Sequence, residues 1–157
     1  MFRVLVAILA VSCLAGVASA QKQETTCAFA NGKGMRIQYA PEPFHLKNGE
    51  VWTAGNQPMA LFLDNSVTIE GVSVPVGAYG IYVLPDKDHW TFILNRSARP
   101  ASDYDSGQDI VRAHMGTGDL GHKMDHPQIA LVHISPSQCN VRVYAGSTMA
   151  WEEIKQK

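Results

Sequence analysis

Apolar residues recur at every second position through most of this chain, and this alternation constrains the fold more than any other feature. Successive side chains of a β-strand point to opposite faces, so each run places one apolar row on a core. No window after residue 20 has the 3.6-residue period of an amphipathic helix. The predicted core-facing rows are Met35, Ile37 and Tyr39; Met59, Leu61 and Leu63; Val67 and Ile69; Trp90, Phe92 and Leu94; and Cys139, Val141, Val143 and Ala145.

Turn signals separate the alternating runs. Glu70 and Gly71 stand between two of them and predict a tight hairpin turn, because glycine adopts positive φ without steric cost. Residues 97–108 and 116–127 are rich in small and polar residues, and we expect each to form a long loop.

Two segments are apolar at successive positions, residues 79–84 and 129–134, which is typical of central strands. His133 is expected to face the core on the second of them. Together with the close spacing of the turns, the pattern predicts an all-β, single-domain, β-sandwich-like fold of about nine mostly antiparallel strands.

The first twenty residues have the pattern of a secretory signal peptide. Arg3 precedes an apolar run over residues 4–17, and the small residues of Ala18-Ser19-Ala20 suit signal peptidase. We expect cleavage before Gln21, a mature domain of residues 21–157, and an exported protein that is periplasmic or secreted. A membrane anchor is disfavoured because a spanning helix needs about 18 or more apolar residues.

Two cysteines, Cys27 and Cys139, remain after removal of the signal peptide. A single pair in an oxidising compartment is more often a disulfide than a set of metal ligands, so we predict that the two are bonded. Residues 21–157 contain 12 basic and 14 acidic residues, a formal charge of −2. Since nucleic-acid binding requires a basic surface, we expect no nucleic-acid partner.

Residues 114–126 contain the most chemically suggestive stretch, with His114, His122, His126 and two methionines among glycines. Imidazole and thioether groups suit copper, so weak copper-type binding by this His/Met loop is one hypothesis. The spacing of four between His122 and His126 brings ligands together only on a helix, which the glycines and Pro127 disfavour. A polar connection without metal is the favoured interpretation.

No residue can be nominated as catalytic. The sequence has no Gly-x-Ser-x-Gly elbow, no histidine tied by spacing to a serine, and no glycine loop for phosphate. Aromatic residues offer a different chemistry, since they could stack against a sugar ring, although most aromatics on strands fill the core. Tyr144 is one of the better exposed candidates because it shares a strand face with Asn140 and Arg142.

A set of motifs runs through the chain in a fixed order: Trp52 with Gly55-Asn56, Val67-Thr-Ile-Glu-Gly71, Val74-Pro-Val-Gly-Ala-Tyr79, Trp90-Thr-Phe-Ile-Leu-Asn95, Tyr104-Asp105, Asp109 and Arg112. Over about residues 34–155 the chain thereby resembles the bacterial exported domain-of-unknown-function family 2911. The resemblance implies a compact β-sandwich-like domain behind a signal peptide, with no established activity or cofactor. Thr53 departs from the family, whose members commonly carry arginine after the first tryptophan.

These observations favour a binding or interaction module whose partner is a small ligand, a glycan or an envelope protein, and which uses no cofactor. Trp52, Asn56 and Tyr144 are the candidate ligand-binding residues. A weak copper-binding protein is the first alternative, with His114, His122 and His126 as candidate metal ligands. An uncharacterised hydrolase-like enzyme is the second alternative.

Overall fold

The computed structural model of the protein describes residues 21–42 and 46–157, so the predicted signal peptide lies outside the described residues. The chain is all-β, as predicted. Its strands are β1 (Gln23–Ala28), β2 (Gly34–Tyr39), β3 (Ala60–Leu63), β4 (Val67–Ile69), β5 (Val72–Val74), β6 (Gly77–Leu84), β7 (Trp90–Asn95), β8 (Asp109–Ser135) and β9 (Gln138–Gln156). Three short 3-10 turns complete the regular structure of the described residues, at Ala54–Asn56, Ala101–Asp103 and Ser106–Gln108.

The nine strands form one sheet in the order β1-β2-β3-β6-β7-β8-β9-β4-β5, and every pairing between them is antiparallel. The strand β8 is 27 residues long and belongs to two parts of this sheet. Its first residues pair with β7, and from Gly116 onward it pairs with β9. The sheet therefore turns along β8 and encloses the core between its two parts.

The alternating rows predicted to face the core are buried. On β2, for example, Met35, Ile37 and Tyr39 are buried and Arg36 is exposed. The predicted hairpin turn joins β4 to β5, with φ of 45° at Glu70 and 80° at Gly71. Both residues adopt the left-handed conformation that the tightest two-residue hairpin requires. The loop predicted at residues 97–108 is also present and contains two of the 3-10 turns.

The prediction of a loop at residues 116–127 is wrong, because these residues continue β8. Register shifts occur between Asp119 and Met124 and again between Met124 and Gln128, so the ladder accommodates extra residues as bulges. The glycines and Pro127 indicated a loop, but the opposite strand β9 pairs on both sides of each bulge. The placement of His133 in the core is also wrong. It is exposed near the end of β8, where the register is irregular.

A disulfide joins Cys27 on β1 to Cys139 on β9, with 6.4 Å between the two Cα atoms, in agreement with the pairing inferred from the sequence. Both residues are buried. Close to this bond, the backbone N–H of Leu131 on β8 donates a hydrogen bond to Thr25 Oγ1 on β1. The two links hold the edge strand β1 against the β8–β9 hairpin, so the sheet is fastened around its core.

No helix within residues 21–42 and 46–157 has the length and apolar character needed to cross a membrane.

Candidate functional site

The sheet divides where β8 passes from β7 to β9. Met115 pairs with Trp90 on β7, and the next residue, Gly116, pairs with Trp151 on β9. Beyond this point β9 pairs with β4 on its other edge. A cavity of about 350 Å³ lies at this division, and we call it the fork cleft. It is lined by Thr68, Glu70, Gly71, His114, Gly116, Trp151, Glu152, Glu153 and Lys155.

Glu152 is the most unusual residue of the fork cleft. Its neighbours two positions away, Ala150 and Ile154, belong to the core, and Glu152 shares their burial with only 7% of its surface exposed. Removal from water penalises the charged carboxylate, and the nearby charge of Glu70 adds to this penalty. Together they raise the pKa of Glu152 to about 7, although a hydrogen bond from the backbone of Glu153 acts in the opposite direction.

Glu70 is brought to the cleft by the β4–β5 turn. The left-handed backbone at this residue directs the chain into β5, and the side chain reaches β8, where Oε2 accepts a hydrogen bond from the backbone N–H of His114 at 3.2 Å. Within the described residues, neither Glu70 nor Glu152 forms an ion pair. Glu153, in contrast, pairs with Lys155 at 3.0 Å on the exposed side of β9. Two carboxyl groups of the cleft therefore lack a cationic partner in this part of the chain.

Trp151 supplies the aromatic surface of the cleft. Its half-buried indole lies directly on the backbone of Gly116, where a Cβ atom would overlap the ring. The ring also extends toward Gly118, but a Cβ atom there would remain at an ordinary contact distance of 3.7 Å. Glycine at position 116 thus allows the indole to approach β8 closely.

The histidines considered as metal ligands are placed in different surroundings. His114 lines the fork cleft, and its ring packs edge-on against His89 with 4.7 Å between ring centroids. His122 lies in the first bulge of β8, with its Nδ1 atom 3.0 Å from the carbonyl oxygen of Leu120, and His126 is exposed in the second bulge. In the described part of the chain, no three histidine, cysteine, aspartate or glutamate side chains are arranged to hold a metal ion.

A second cavity, of about 250 Å³, lies beside the loop that precedes β8. Asn95, at the end of β7, is almost completely buried and organises this region. Its amide nitrogen donates to Asp105 O and Asp109 Oδ1, and its Oδ1 accepts from the backbone N–H of Ser97. The side chain therefore fixes both ends of the loop to the sheet. These hydrogen bonds give Asn95 a structural role, and this role explains why its side chain is buried.

Tyr104, Asp109 and Arg112 extend the same network. The Tyr104 hydroxyl donates to Asp109 Oδ2 at 2.6 Å, and Arg112 Nη1 donates to both of these side chains. Burial, followed by the hydrogen bond to Asp109, raises the pKa of Tyr104 to about 12. Each of these three side chains has a protein partner, so the network holds the loop to the sheet.

The candidate ligand-binding residues Trp52 and Asn56 lie next to this loop. Trp52 is buried and pairs through its backbone with Val83 on β6. Asn56 Oδ1 accepts a hydrogen bond from the backbone N–H of Ser102 at 3.1 Å, and Thr53 Oγ1 accepts one from Ala101. Tyr144 is elsewhere, half-buried on β9 opposite Gln128. The three candidates are thus divided between two regions of the fold.

Sequence reasoning missed Glu152 and Glu70, and it considered Trp151 only as one of several aromatic residues that could stack against a sugar ring. The alternation that places Val143 and Ala145 in the core predicts that Glu152 faces solvent, since it lies an odd number of residues further on. Gly146, with φ of 58°, lies at a register shift of the β8–β9 ladder, and the buried row resumes on even-numbered residues from Ala150. The usable signal is that Glu152 stands between Ala150 and Ile154 on the buried face of β9. It can be recognised only when the change of the buried face near Gly146 is known.

Comparison with curated proteins and with solved structures found no match. The model of one protein family matches residues 34–157, which include every residue of the fork cleft and of the Asn95 network. The chain belongs to the DUF2911 family, described as proteins of unknown function.

Proposed function

We propose that this protein is a binding module for small polar ligands and that the fork cleft is its binding site. The observation that carries the proposal is the position of Glu152, which is 7% exposed on the core side of β9 and yet lines a cavity. Burying a carboxyl group without a cationic partner is unfavourable for folding, so a structural role does not account for it.

The composition of the cleft supports a ligand that contains a sugar ring. Binding sites for small molecules combine an apolar surface with a few polar groups that fix orientation. Trp151 supplies the apolar surface, and the carboxyl groups of Glu70 and Glu152 can accept hydrogen bonds from hydroxyl groups. The hydroxyl of Thr68 and the ring of His114 add further polar groups. A cavity of about 350 Å³ is large enough for one or two such rings.

The charge of the cleft argues against anionic ligands. Lys155 is paired with Glu153, so the unpaired charges at the cleft are carboxylates. A phosphate or carboxylate group placed among them would be repelled by the carboxylate of Glu70 and by Glu152 in its ionised form. The ligand is accordingly neutral or cationic.

Saturation-transfer NMR with a panel of neutral and cationic mono- and disaccharides tests this proposal. We expect binding to the wild type, loss of binding in Trp151→Ala and weakened binding in Glu152→Gln. Tyr144→Ala is the matched control, because it removes another half-buried aromatic ring from the same strand. Ligand binding that survives both cleft substitutions and disappears in Tyr144→Ala would contradict the proposal and favour Tyr144 as the binding residue.

We also propose that the protein is exported after removal of residues 1–20. The disulfide between Cys27 and Cys139 supports this, since such bonds persist mainly in oxidising compartments. Intact mass spectrometry of protein from its own cell envelope should give a chain that begins at Gln21. A mass that includes residues 1–20 would contradict export by cleavage.

A further inference from the structure

We propose that the fork cleft selects ligands that carry an ammonium group, and that Glu152 gives up its proton to solvent when such a ligand binds. This inference rests on the function proposed above and names the chemical class of its ligand. It is drawn from the arrangement of charged groups around the cavity.

Two carboxyl groups approach the cavity from different elements, and no cation of the described residues is paired with either. Glu70 arrives from the β4–β5 turn and is held by the backbone N–H of His114, whereas Glu152 projects from β9. The remaining carboxylate, Glu153, is matched by Lys155. An ammonium group placed between Glu70 and Glu152 would supply the missing positive charge.

Trp151 adds a second attraction for the same kind of group. The face of an indole ring attracts cations, and the attraction is larger where water is partly excluded. This indole lies against the backbone of Gly116, which removes part of the ring from water. An aromatic ring beside two carboxyl groups is a combination that suits an amine and offers nothing to an anion.

The charged and titratable groups that face Glu152 come from three elements. Glu70 belongs to the turn after β4, His114 to β8, and Glu153 and Lys155 to β9 itself. Burial and the charge of Glu70 favour the neutral acid, with a pKa of about 7. A bound ammonium group reverses this preference, because an adjacent opposite charge stabilises the carboxylate.

The proton balance of binding follows from these preferences. Below about pH 7 the free protein carries Glu152 as the neutral acid. When the ammonium group enters, the O–H bond of the Glu152 carboxyl group breaks, the proton passes to buffer, and the carboxylate remains beside the cation. No other bond forms or breaks. Because binding releases a proton, the affinity for a permanently charged ligand increases by up to about tenfold for each pH unit below the pKa of Glu152. Above that pKa the affinity levels off.

Isothermal titration calorimetry with two matched glycosides tests the inference. Methyl 6-amino-6-deoxyglucoside and methyl glucoside differ by one ammonium group in place of one hydroxyl, and the amine remains protonated over the range used. At about pH 7.5 we expect the amino sugar to bind the wild type about tenfold more tightly or better. At about pH 6, titrations in phosphate and bis-Tris, whose ionisation enthalpies differ, should reveal the release of close to one proton.

Two variants identify the group responsible. Glu152→Gln should bind methyl glucoside with lower affinity, which remains measurable at high ligand concentration. It should lose both the preference for the amine and the proton release. Glu24→Gln is the control, since it removes an exposed carboxylate on β1 that hydrogen-bonds to Gln38. It should behave as the wild type does.

The possible failures are distinguishable. Equal affinity for the two glycosides, with no proton release, would overturn the ammonium inference and leave the proposed sugar-binding function intact. Absence of binding by both glycosides would overturn both. A preference for the amine that persists in Glu152→Gln and is lost in Glu24→Gln would assign the selectivity to the outer surface and overturn the role of the fork cleft.

Discussion

Glu70 Oε2 accepts a hydrogen bond from the backbone N–H of His114 at 3.2 Å, and this contact connects the β4–β5 turn to β8, which is a neighbour of neither β4 nor β5 in the sheet. Since β9 lies between β8 and β4, the side chain spans the fork cleft. It thereby holds a carboxylate near Glu152, whose pKa is raised first by burial and second by the charge of Glu70.

Replacing Glu70 with Gln should lower the pKa of Glu152. The amide oxygen of glutamine can still accept the hydrogen bond from His114, but the negative charge is removed. The pKa should remain above 4.5, because burial is the larger cause of its elevation. Carbon-detected NMR of the side-chain carboxyl group over a pH series measures the change. An unaltered titration of Glu152 in this variant would show that the two groups do not interact.

Glu152→Gln should increase stability at neutral and alkaline pH. The folded-state pKa of about 7 lies above the usual 4.5, so the folded protein binds more protons than the unfolded chain between these values. Stability therefore falls as pH rises from about 4.5 to about 7, and the full cost persists above that range. Above about pH 7 the free energy of unfolding of the glutamine variant should exceed that of the wild type by on the order of 1 to 3 kcal/mol.

Urea denaturation at about pH 4.5 and about pH 8 provides the measurement for this variant. The gain over the wild type should be present at the higher pH and nearly absent at the lower one. Glu24→Gln serves as the control because Glu24 is an exposed carboxylate on β1 that does not line the cleft. A gain of equal size at both pH values would mean that titration of Glu152 is not its cause.

Gly116→Ala should destabilise the protein and disturb the indole of Trp151. The new methyl group would overlap the ring, and forcing extra volume into a close contact costs about 1 to 3 kcal/mol. Gly118→Ala is the matched control, since its Cβ atom would lie 3.7 Å from the same ring. Chemical denaturation and the indole N–H resonance of Trp151 report the two effects. Similar behaviour of the two variants would refute the close approach of Trp151 to β8.

A Cys27→Ser/Cys139→Ser double variant should lose most of the stability of the domain. The bond links positions 112 residues apart, and the chain-entropy model assigns roughly 4 to 5 kcal/mol to a loop of that length. Guanidinium denaturation of the two proteins measures the loss. Titration of the denatured wild type with a thiol reagent is the companion experiment, and two reactive thiols in exported protein would contradict the bond.

Metal titration tests the copper-binding hypothesis. His122 and His126 occupy separate bulges of β8, and His114 packs against His89, so we expect Cu(II) and Ni(II) to bind no more tightly than about micromolar. Calorimetry of the wild type and a His122→Ala/His126→Ala variant decides the matter. Nanomolar affinity that is lost in the variant would favour the metal-binding alternative.

Much of the architecture could be predicted from the alternation of apolar residues. Rows such as Met35, Ile37 and Tyr39 reveal their strand because burial on one face imposes a period of two. The extent of β8 could not be predicted in this way, since its bulged part around Met124 carries no regular period and contains residues that favour turns. Pairing with β9 outweighs those local preferences.

The candidate site was harder to predict because its residues are assembled by register and not by spacing. Glu70 and Glu152 are separated by more than eighty positions, and only the pairing of β4 with β9 brings them together. A single irregular position near Gly146 reverses which face of β9 is buried, so Glu152 could not be assigned to the core side by extrapolation. The buried face of β9 beyond Gly146 is determined by strand pairing in the folded protein.

The position of the fork cleft, where β8 passes from β7 to β9, has a consequence for the rates of binding to the proposed site. Both parts of the sheet share this strand, so a separation that spans Met115 and Gly116 would open the ladders with β7 and β9 together. Such openings are rare, because they approach global unfolding in free energy. If the cleft has the proposed function, a ligand would accordingly encounter a preformed site, and its association rate would be limited by diffusion and side-chain rearrangement instead of a conformational gate.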